Sequence, residues 1–392
     1  MTSSGTAPFR IPVTLVTGFL GSGKTTLINA ALRAPELART VVIVNEFGEV
    51  GLDHSLFASS NDAVVVLENG CLCCTVRGDL VATLIDLNQG RMSGRIPAFD
   101  NVVIETSGLA EPGPVLQAFL SEPNLDGLYR VASVLTLVDA VNFAGTLKEH
   151  DEALRQVAYA DRILISKIDL IKDDPQTAES ALRATLARLA PAAKVELNDT
   201  SAPPRVDLLK APGFDAADPQ ADPLPWLALA AHEQHHTHDH DHGHEDGHDH
   251  DHVDHLRQRG IESFVLTRTE PMAREELQFL LAGINQNLGP GLLRVKGLVN
   301  IAGEPGKPAV IQGAQHILHT MTWLDRWPSA DERSRIVFIA QGTTRAELKE
   351  IIEMLDRMSA RTFKARERGR LAFEQAEREK TQGERAPAEK LP

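Results

Sequence analysis

Gly18-Phe19-Leu20-Gly21-Ser22-Gly23-Lys24-Thr25 follows the apolar run Val13–Thr17 and opens a segment, Lys24–Arg33, with helical spacing. It fits G-x-x-x-x-G-K-[ST] between a strand and a helix, the context in which that pattern cradles phosphate. The glycines let the backbone curl so that successive N–H groups and the helix N-terminus face phosphate oxygens. Lys24 is then expected to reach the β- and γ-phosphates and Thr25 to hold Mg²⁺ through its hydroxyl. Gly18, Gly21, Ser22, Gly23 and Thr26 complete the nucleotide-binding set.

Outward from this loop, apolar runs alternate with amphipathic stretches. Strands are expected at Val13–Thr17, Val41–Asn45, Ala63–Leu67, Asn101–Glu105, Val131–Val138, Arg162–Ser166 and Lys194–Leu197. Helices are expected near Lys24–Arg33, Val76–Asn88, Val115–Leu120, Asp151–Tyr159 and Thr177–Leu189. Several strands are continuous Val/Ile/Leu runs, as in parallel sheets covered on both faces. The fold class is therefore α/β, a doubly wound and mostly parallel P-loop sheet over residues 11–205, after a flexible stretch 1–10. A smaller α+β domain is expected over 259–358. It takes strands from Ile261–Thr267, Leu292–Ile301, Ala309–Gly313 and Ile336–Ala340, and helices from Ala273–Ile284 and Ala346–Met358. Residues 359–392 read as a charged segment, a frayed helix or a tail.

Two further segments belong to a nucleotide site. Asn101–Glu105, continuing through Thr106-Ser107-Gly108, is a buried strand ending in a carboxylate. Glu105 there can hold the Mg²⁺ shell, and the N–H of Gly108 can approach a γ-phosphate. Ser166-Lys167-Ile168-Asp169 follows another strand. Asp169 can accept from N1–H and the exocyclic amine of guanine, while Lys167 lies over the base, so GTP is favoured over ATP. After the second strand, Asn45-Glu46-Phe47-Gly48-Glu49-Val50-Gly51-Leu52-Asp53 carries carboxylates where a nucleotide-sensing loop belongs. Asp53 is a candidate for the Mg²⁺ or water shell and a catalytic role; no general base is assigned.

The only three cysteines of the 392 residues lie in Cys71-Leu72-Cys73-Cys74. That excludes a secreted disulfide framework and points to a reducing compartment. Thiolates suit Zn²⁺ or Cu(I), and zinc prefers four ligands, so the site needs a fourth from elsewhere, for which Glu49 is the candidate, or keeps an open position. Buried inert thiols and a redox pair are the competing readings, the latter opposed by the strain of a disulfide between adjacent residues.

The formal net charge is −14, which excludes a global basic footprint for nucleic acid or an anionic membrane. Between His232 and His255 lie eight acidic residues, eleven of the fifteen His and no Lys or Arg, leaving −6 for the rest. This tract falls within 206–258, expected as a flexible linker. His238, His240, His242, His244, His248, His250 and His252 alternate with carboxylates and small residues and suit weak, multiple metal sites. His54, His150, His316 and His319 read as ordinary packing or surface residues. Met1–Arg10 does not resemble a signal peptide, and no apolar run reaches the ~18 residues of a membrane span, so a cytoplasmic location is expected.

Together GFLGSGKTT, NEFGEVGLD, ENGCLCC, ETSG and SKID resemble the CobW-type, zinc-regulated GTPase metallochaperone family. Arg294-Val-Lys-Gly-Leu-Val-Asn300 and Ile311-Gln-Gly-Ala-Gln-His316 look like its C-terminal domain. The resemblance spans about residues 10–205 and 260–345 and leaves out the His tract and the tail. It implies a GTPase of the same broad group as the urease and hydrogenase nickel-insertion GTPases. It also implies GTP/GDP, Mg²⁺ and Zn²⁺ as cofactors, with Co²⁺ admissible, a metal site at the Cys motif, and delivery to an apo-metalloprotein client under nucleotide control. A cobalt-handling accessory factor for cobalamin synthesis or another metalloenzyme, and a zinc store with a vestigial GTPase, are the alternatives. A homodimer is left open.

Overall fold

The computed structural model describes residues 10–45, 64–67, 75–210 and 260–383, apart from 192, 200, 201, 204, 316, 319, 320 and 329. The first unit is a seven-stranded parallel sheet. Its strands are β1 (Ile11–Thr17), β2 (Thr40–Asn45), β3 (Val64–Leu67), β4 (Asn101–Thr106), β5 (Tyr129–Asp139), β6 (Arg162–Ser166) and β7 (Lys194–Leu197), in the order β3-β2-β4-β1-β5-β6-β7. Helices α1 (Lys24–Ala31), α2 (Thr75–Ser93), α3 (Pro112–Ser121), α4 (Pro123–Asp126), α5 (Phe143–Glu149), α6 (Asp151–Ala158) and α7 (Pro175–Leu189) run between the strands.

Alternation along the strands divides the core. Val13, Leu15, Val102 and Ile104 pack with Leu80 and Leu84 of α2, Leu116 and Phe119 of α3, and Leu154 and Val157 of α6. Val16, Val103, Leu135 and Leu164 pack on the other face with Leu27 and Ile28 of α1. A short helix, α8 (Val206–Leu209), joins this second face with Leu208 and Leu209. The Leu209 carbonyl accepts from Thr14 Oγ1 at 3.2 Å and Asn101 Nδ2 at 3.1 Å. The first core thus runs past residue 205, into residues that the composition assigned to the linker. Four residues are too few to display a helical period.

The second unit is an antiparallel sheet of β8 (Ile261–Arg268), β9 (Leu292–Val299), β10 (Ala309–Ala314), β11 (Ile317–Leu318), β12 (Thr322–Trp323) and β13 (Ser334–Gln341). The order is β11-β10-β9-β13-β8, with β12 on β10. Helices α9 (Arg274–Leu288) and α10 (Arg345–Gly383) cover one face, burying Leu277, Leu280, Leu348 and Ile352 against Ile336 and Phe338. On the opposite face Leu293, Val337 and Ile339 merge with the core of the first unit. Helix α10 continues to Gly383, taking the helical of the two readings, frayed helix or tail, open for the stretch from residue 359. Its apolar face stops near Ser359, so periodicity ends there. Ala, Glu, Lys and Arg, all strong helix formers, carry the helix onward.

The two units are also tied by charge. Asp161, just before β6, accepts from Arg294 Nη2 at 2.9 and 3.0 Å, from Lys296 Nζ, and from the Val134 N–H at 2.8 Å. Arg294 and Lys296 are two residues apart on β9 and point to the same face, where both are almost fully buried.

Candidate functional site

The site lies at the C-terminal ends of β1, β4, β5 and β6. The loop after β1 has positive φ at Gly18 (137°), Gly21 (71°) and Gly23 (98°). Gly18 also has no room for a side chain, because a Cβ there would sit 2.3 Å from the Leu137 carbonyl oxygen of β5. The loop therefore presses onto the sheet and closes on itself. Ser22 N–H donates to the Phe19 carbonyl at 3.2 Å, and Lys24 Nζ donates to the carbonyls of Gly18 at 2.9 Å and Phe19 at 3.3 Å. The lysine is buried over the loop that its ammonium is expected to bridge to phosphate, while Thr26 is exposed at the start of α1.

Thr25 Oγ1 donates to Glu105 Oε1 at 2.6 Å, and Glu105 is only 4% exposed. A hydroxyl and a buried carboxylate from different elements thus share one point beside Lys24. This hard-oxygen pair fits Mg²⁺, which takes one or two carboxylates plus substrate phosphates. Three residues on, Gly108 lies under the phosphate loop, where a Cβ would meet Leu20 N at 2.6 Å. Its carbonyl accepts from Gln156 Nε2 at 2.9 Å.

On the base side, Ser166 Oγ donates to the Ser22 carbonyl at 2.8 Å, joining the base-reading segment to the phosphate loop. Lys167 takes φ 62° and its ammonium donates to Asp139 Oδ2 at 2.8 Å. Burial pushes the Asp139 carboxyl up, but hydrogen bonds from Lys167, Asn142 and the Val141 N–H outweigh it and hold it below its ordinary value. Asp169 stands exposed in the 3-10 turn Ile168–Leu170, free to meet a base edge. His150, expected to be a packing residue, lies with its ring 4.6 Å from that of Phe19.

The structure thus brings Gly18, Gly21, Ser22, Gly23, Lys24, Thr25, Thr26, Glu105, Gly108, Lys167 and Asp169 to one end of the sheet. Glu49, Asp53, Cys71, Cys73, Cys74 and the seven His of the tract lie outside the described residues. What flanks the first of these is described. Asn45 pairs with Thr106 and Leu67 with Asn45, so β2 and β3 end level with the last residue of β4. Sequence reasoning misses Asp139 and Gln156. Asp139 carries a usable sign, an acid closing a long apolar strand, whereas Gln156 sits in an ordinary amphipathic helix and carries none.

Asp139→Ala is expected to raise KM for GTP about tenfold with kcat nearly unchanged, since it frees a lysine that binds rather than reacts. Steady-state kinetics with GTP checks this, and an unchanged KM contradicts the role.

The family profile described as CobW/HypB/UreG, nucleotide-binding domain, matches residues 12–196, and the cobalamin synthesis protein cobW C-terminal domain matches 261–355. The zinc chaperone YjiA of Escherichia coli (strain K12) is 32% identical over 332 residues, taking in 84% of this chain and 93% of that protein. The chain is a P-loop GTPase of the CobW/HypB/UreG family. A second relative is the zinc-regulated GTPase metalloprotein activator 1 of Schizosaccharomyces pombe, 36% identical over 192 residues, or 47% of this chain and 45% of that protein. The crystal structure of zinc-bound YjiA GTPase from E. coli matches the fold with a TM-score of 0.61 at 28% identity, covering 88% of this chain and 99% of that one. The CobW-type resemblance carried by the motifs is therefore confirmed over both units. No helix among the described residues is long and apolar enough to cross a membrane.

Proposed function

We propose that the chain is a GTP-hydrolysing metallochaperone that takes zinc at Cys71, Cys73 and Cys74 and passes it to an apo-metalloprotein under control of the bound nucleotide. The names of its relatives support the metal, and the strand register supports the coupling. The three cysteines fall between Leu67, the end of β3, and Thr75, the start of α2. Leu67 and Thr106 are level with each other across β2, about two strand spacings or ~10 Å apart. Strand β3 therefore ends on the side of the sheet where β4 carries Glu105, and β2 ends between the two. A γ-phosphate held on that side biases the connections after β2 and β3 in one nucleotide state and releases them after hydrolysis.

The chain's own residues do the following. Gly18–Thr26 wraps the phosphates in N–H groups, and Lys24 moves its ammonium from loop carbonyls to phosphate oxygens. Thr25 and Glu105 hold the magnesium shell, while Lys167 and Asp169 bind the base. Magnesium, when bound, neutralises charge developing on the β- and γ-oxygens. Zinc is cargo, held by the thiolates with Glu49 as the fourth ligand, and the His tract concentrates it nearby as a set of weak sites.

The test is Zn²⁺ affinity of the full chain with GDP and with a non-hydrolysable GTP analogue. We expect a difference of about tenfold, with zinc changing the affinity for nucleotide by the same factor. Cys73→Ser should remove one tight site, and deletion of 232–255 only weak ones. Equal affinities in the two nucleotide states end the coupling, and a Cys73→Ser protein that keeps its tight site ends the thiol assignment.

A further inference from the structure

Beyond the nucleotide contacts, two neighbouring side chains on α6 reach in different directions, and both end on the segment that follows Glu105. Gln156 is fully buried, and its Nε2 donates to the carbonyls of Gly108 at 2.9 Å and Ala110 at 3.0 Å. Its main-chain carbonyl accepts from Thr136 Oγ1 of β5 at 2.8 Å, which anchors the residue that carries the clamp to the sheet. Arg155 pairs with Glu111, the next residue of the same segment, and donates from Nε to Gln341 Oε1 of β13 at 2.9 Å. The segment Ser107–Glu111 therefore has one end under the phosphate loop and the other in contact with an arginine that touches the C-terminal sheet.

A second link runs in parallel. Helix α3 begins at Pro112, directly after Glu111, and its Gln117 donates to Gln315 Oε1 of the β10–β11 turn. Gly113 lets three elements meet, since a Cβ there would lie 2.8 Å from Tyr159 Oη and 3.2 Å from Gln315 Nε2. Gln315 holds φ 51° and donates its N–H to the Leu293 carbonyl of β9 at 3.0 Å, so it has little freedom to follow or to yield.

We propose that Gln156 is a positioning residue for the γ-phosphate end of the GTP site, and that Arg155 and α3 carry the position of the Ser107–Glu111 segment to β13 and β10 of the C-terminal sheet. The proposal rests on the reading that the Gly108 N–H meets the terminal phosphate. With that N–H drawn to phosphate, the Gly108 carbonyl turns against the Gln156 clamp. The shift leaves the segment at Glu111 and Pro112, where both links to the C-terminal sheet begin. The C-terminal unit thus reads the presence of the third phosphate through side-chain amides and one guanidinium.

Hydrogen exchange on the full chain, with GDP and with a non-hydrolysable GTP analogue plus Mg²⁺, tests this together with GTP kinetics. In the unaltered protein, amides of 309–318 and 334–342 should change protection about tenfold between the two nucleotides. Gln156→Leu should lower kcat about ten- to hundredfold with KM nearly unchanged and erase the difference in both strands. Gln341→Leu touches neither nucleotide nor loop. It should keep kcat and KM while losing most of the difference in 334–342 and keeping that in 309–318. Equal protection in both nucleotide states, in a protein that binds and hydrolyses GTP, overturns the proposal, as does a full difference surviving Gln341→Leu. Failure to bind or hydrolyse GTP in the unaltered chain would instead strike the underlying reading of the site.

Discussion

Lys24→Ala is expected to lower kcat/KM for GTP about a thousandfold or more, the range found when a preorganised donor at a developing charge is removed. The ammonium is buried at the mouth of the loop, held by the Gly18 and Phe19 carbonyls at 2.9 and 3.3 Å, so it is aimed before nucleotide arrives. The loop itself is shaped by its glycines and by contact with Leu137, and it should survive the substitution with about 1–2 kcal/mol of lost stability. Single-turnover hydrolysis and thermal melting separate the two effects. A variant that kept a tenth of the original kcat/KM would show that the loop's backbone, and not its lysine, carries the transition-state charge.

Asp161→Ala should destabilise the protein by about 3–5 kcal/mol, because two buried cations lose the carboxylate they share. Burial already pulls the Lys296 ammonium down to about 7 and the Arg294 guanidinium to about 9. A folded-state pKa below the unfolded value means that folding expels a proton from Lys296. Stability from this group therefore rises as pH climbs from about 7 towards 10.5 and is lost on the way down. Asp161→Ala should steepen that dependence, since no anion then offsets the protonated lysine. Lys296→Met removes one cation and leaves Arg294 with Asp161, so it should cost less than about 1 kcal/mol. Denaturant melts at pH 7 and 9 decide the matter, and equal melts for Asp161→Ala and the unaltered protein would refute the role of the cluster.

What could be read without coordinates follows from how local each signal is. The bounds of β6 match its apolar run, because a parallel strand buried on both faces writes itself as continuous Val, Ile and Leu, while the edge strand β7 is betrayed by the alternation Lys-Val-Glu-Leu. The phosphate loop is legible for a similar reason, since backbone curvature, charge and helix start all fall within eight residues. Gln156 and Asp161 are not legible. Each gains its meaning from a partner on another element, Gly108 in one case and Arg294 in the other, and nothing beside them in the chain announces it. Helix α8 escapes notice because it is one turn long and is recognisable only by what Leu208 and Leu209 bury. The end of α10 escapes because a helix without an apolar stripe looks, residue by residue, like a polar tail.

The C-terminal sheet is used on both faces, by its own two helices on one and by the GTPase core on the other. A hinge between the units would have to uncover Leu293, Val337 and Ile339 and strand Arg294 and Lys296 away from Asp161. Rearrangement of such a joint proceeds by shear, with packed surfaces sliding a fraction of a side chain while staying dry. Small displacements suffice for that kind of machine. Under the proposed coupling, a partner docked on this domain would meet a change of outline of about 1–2 Å, not the swing of an arm.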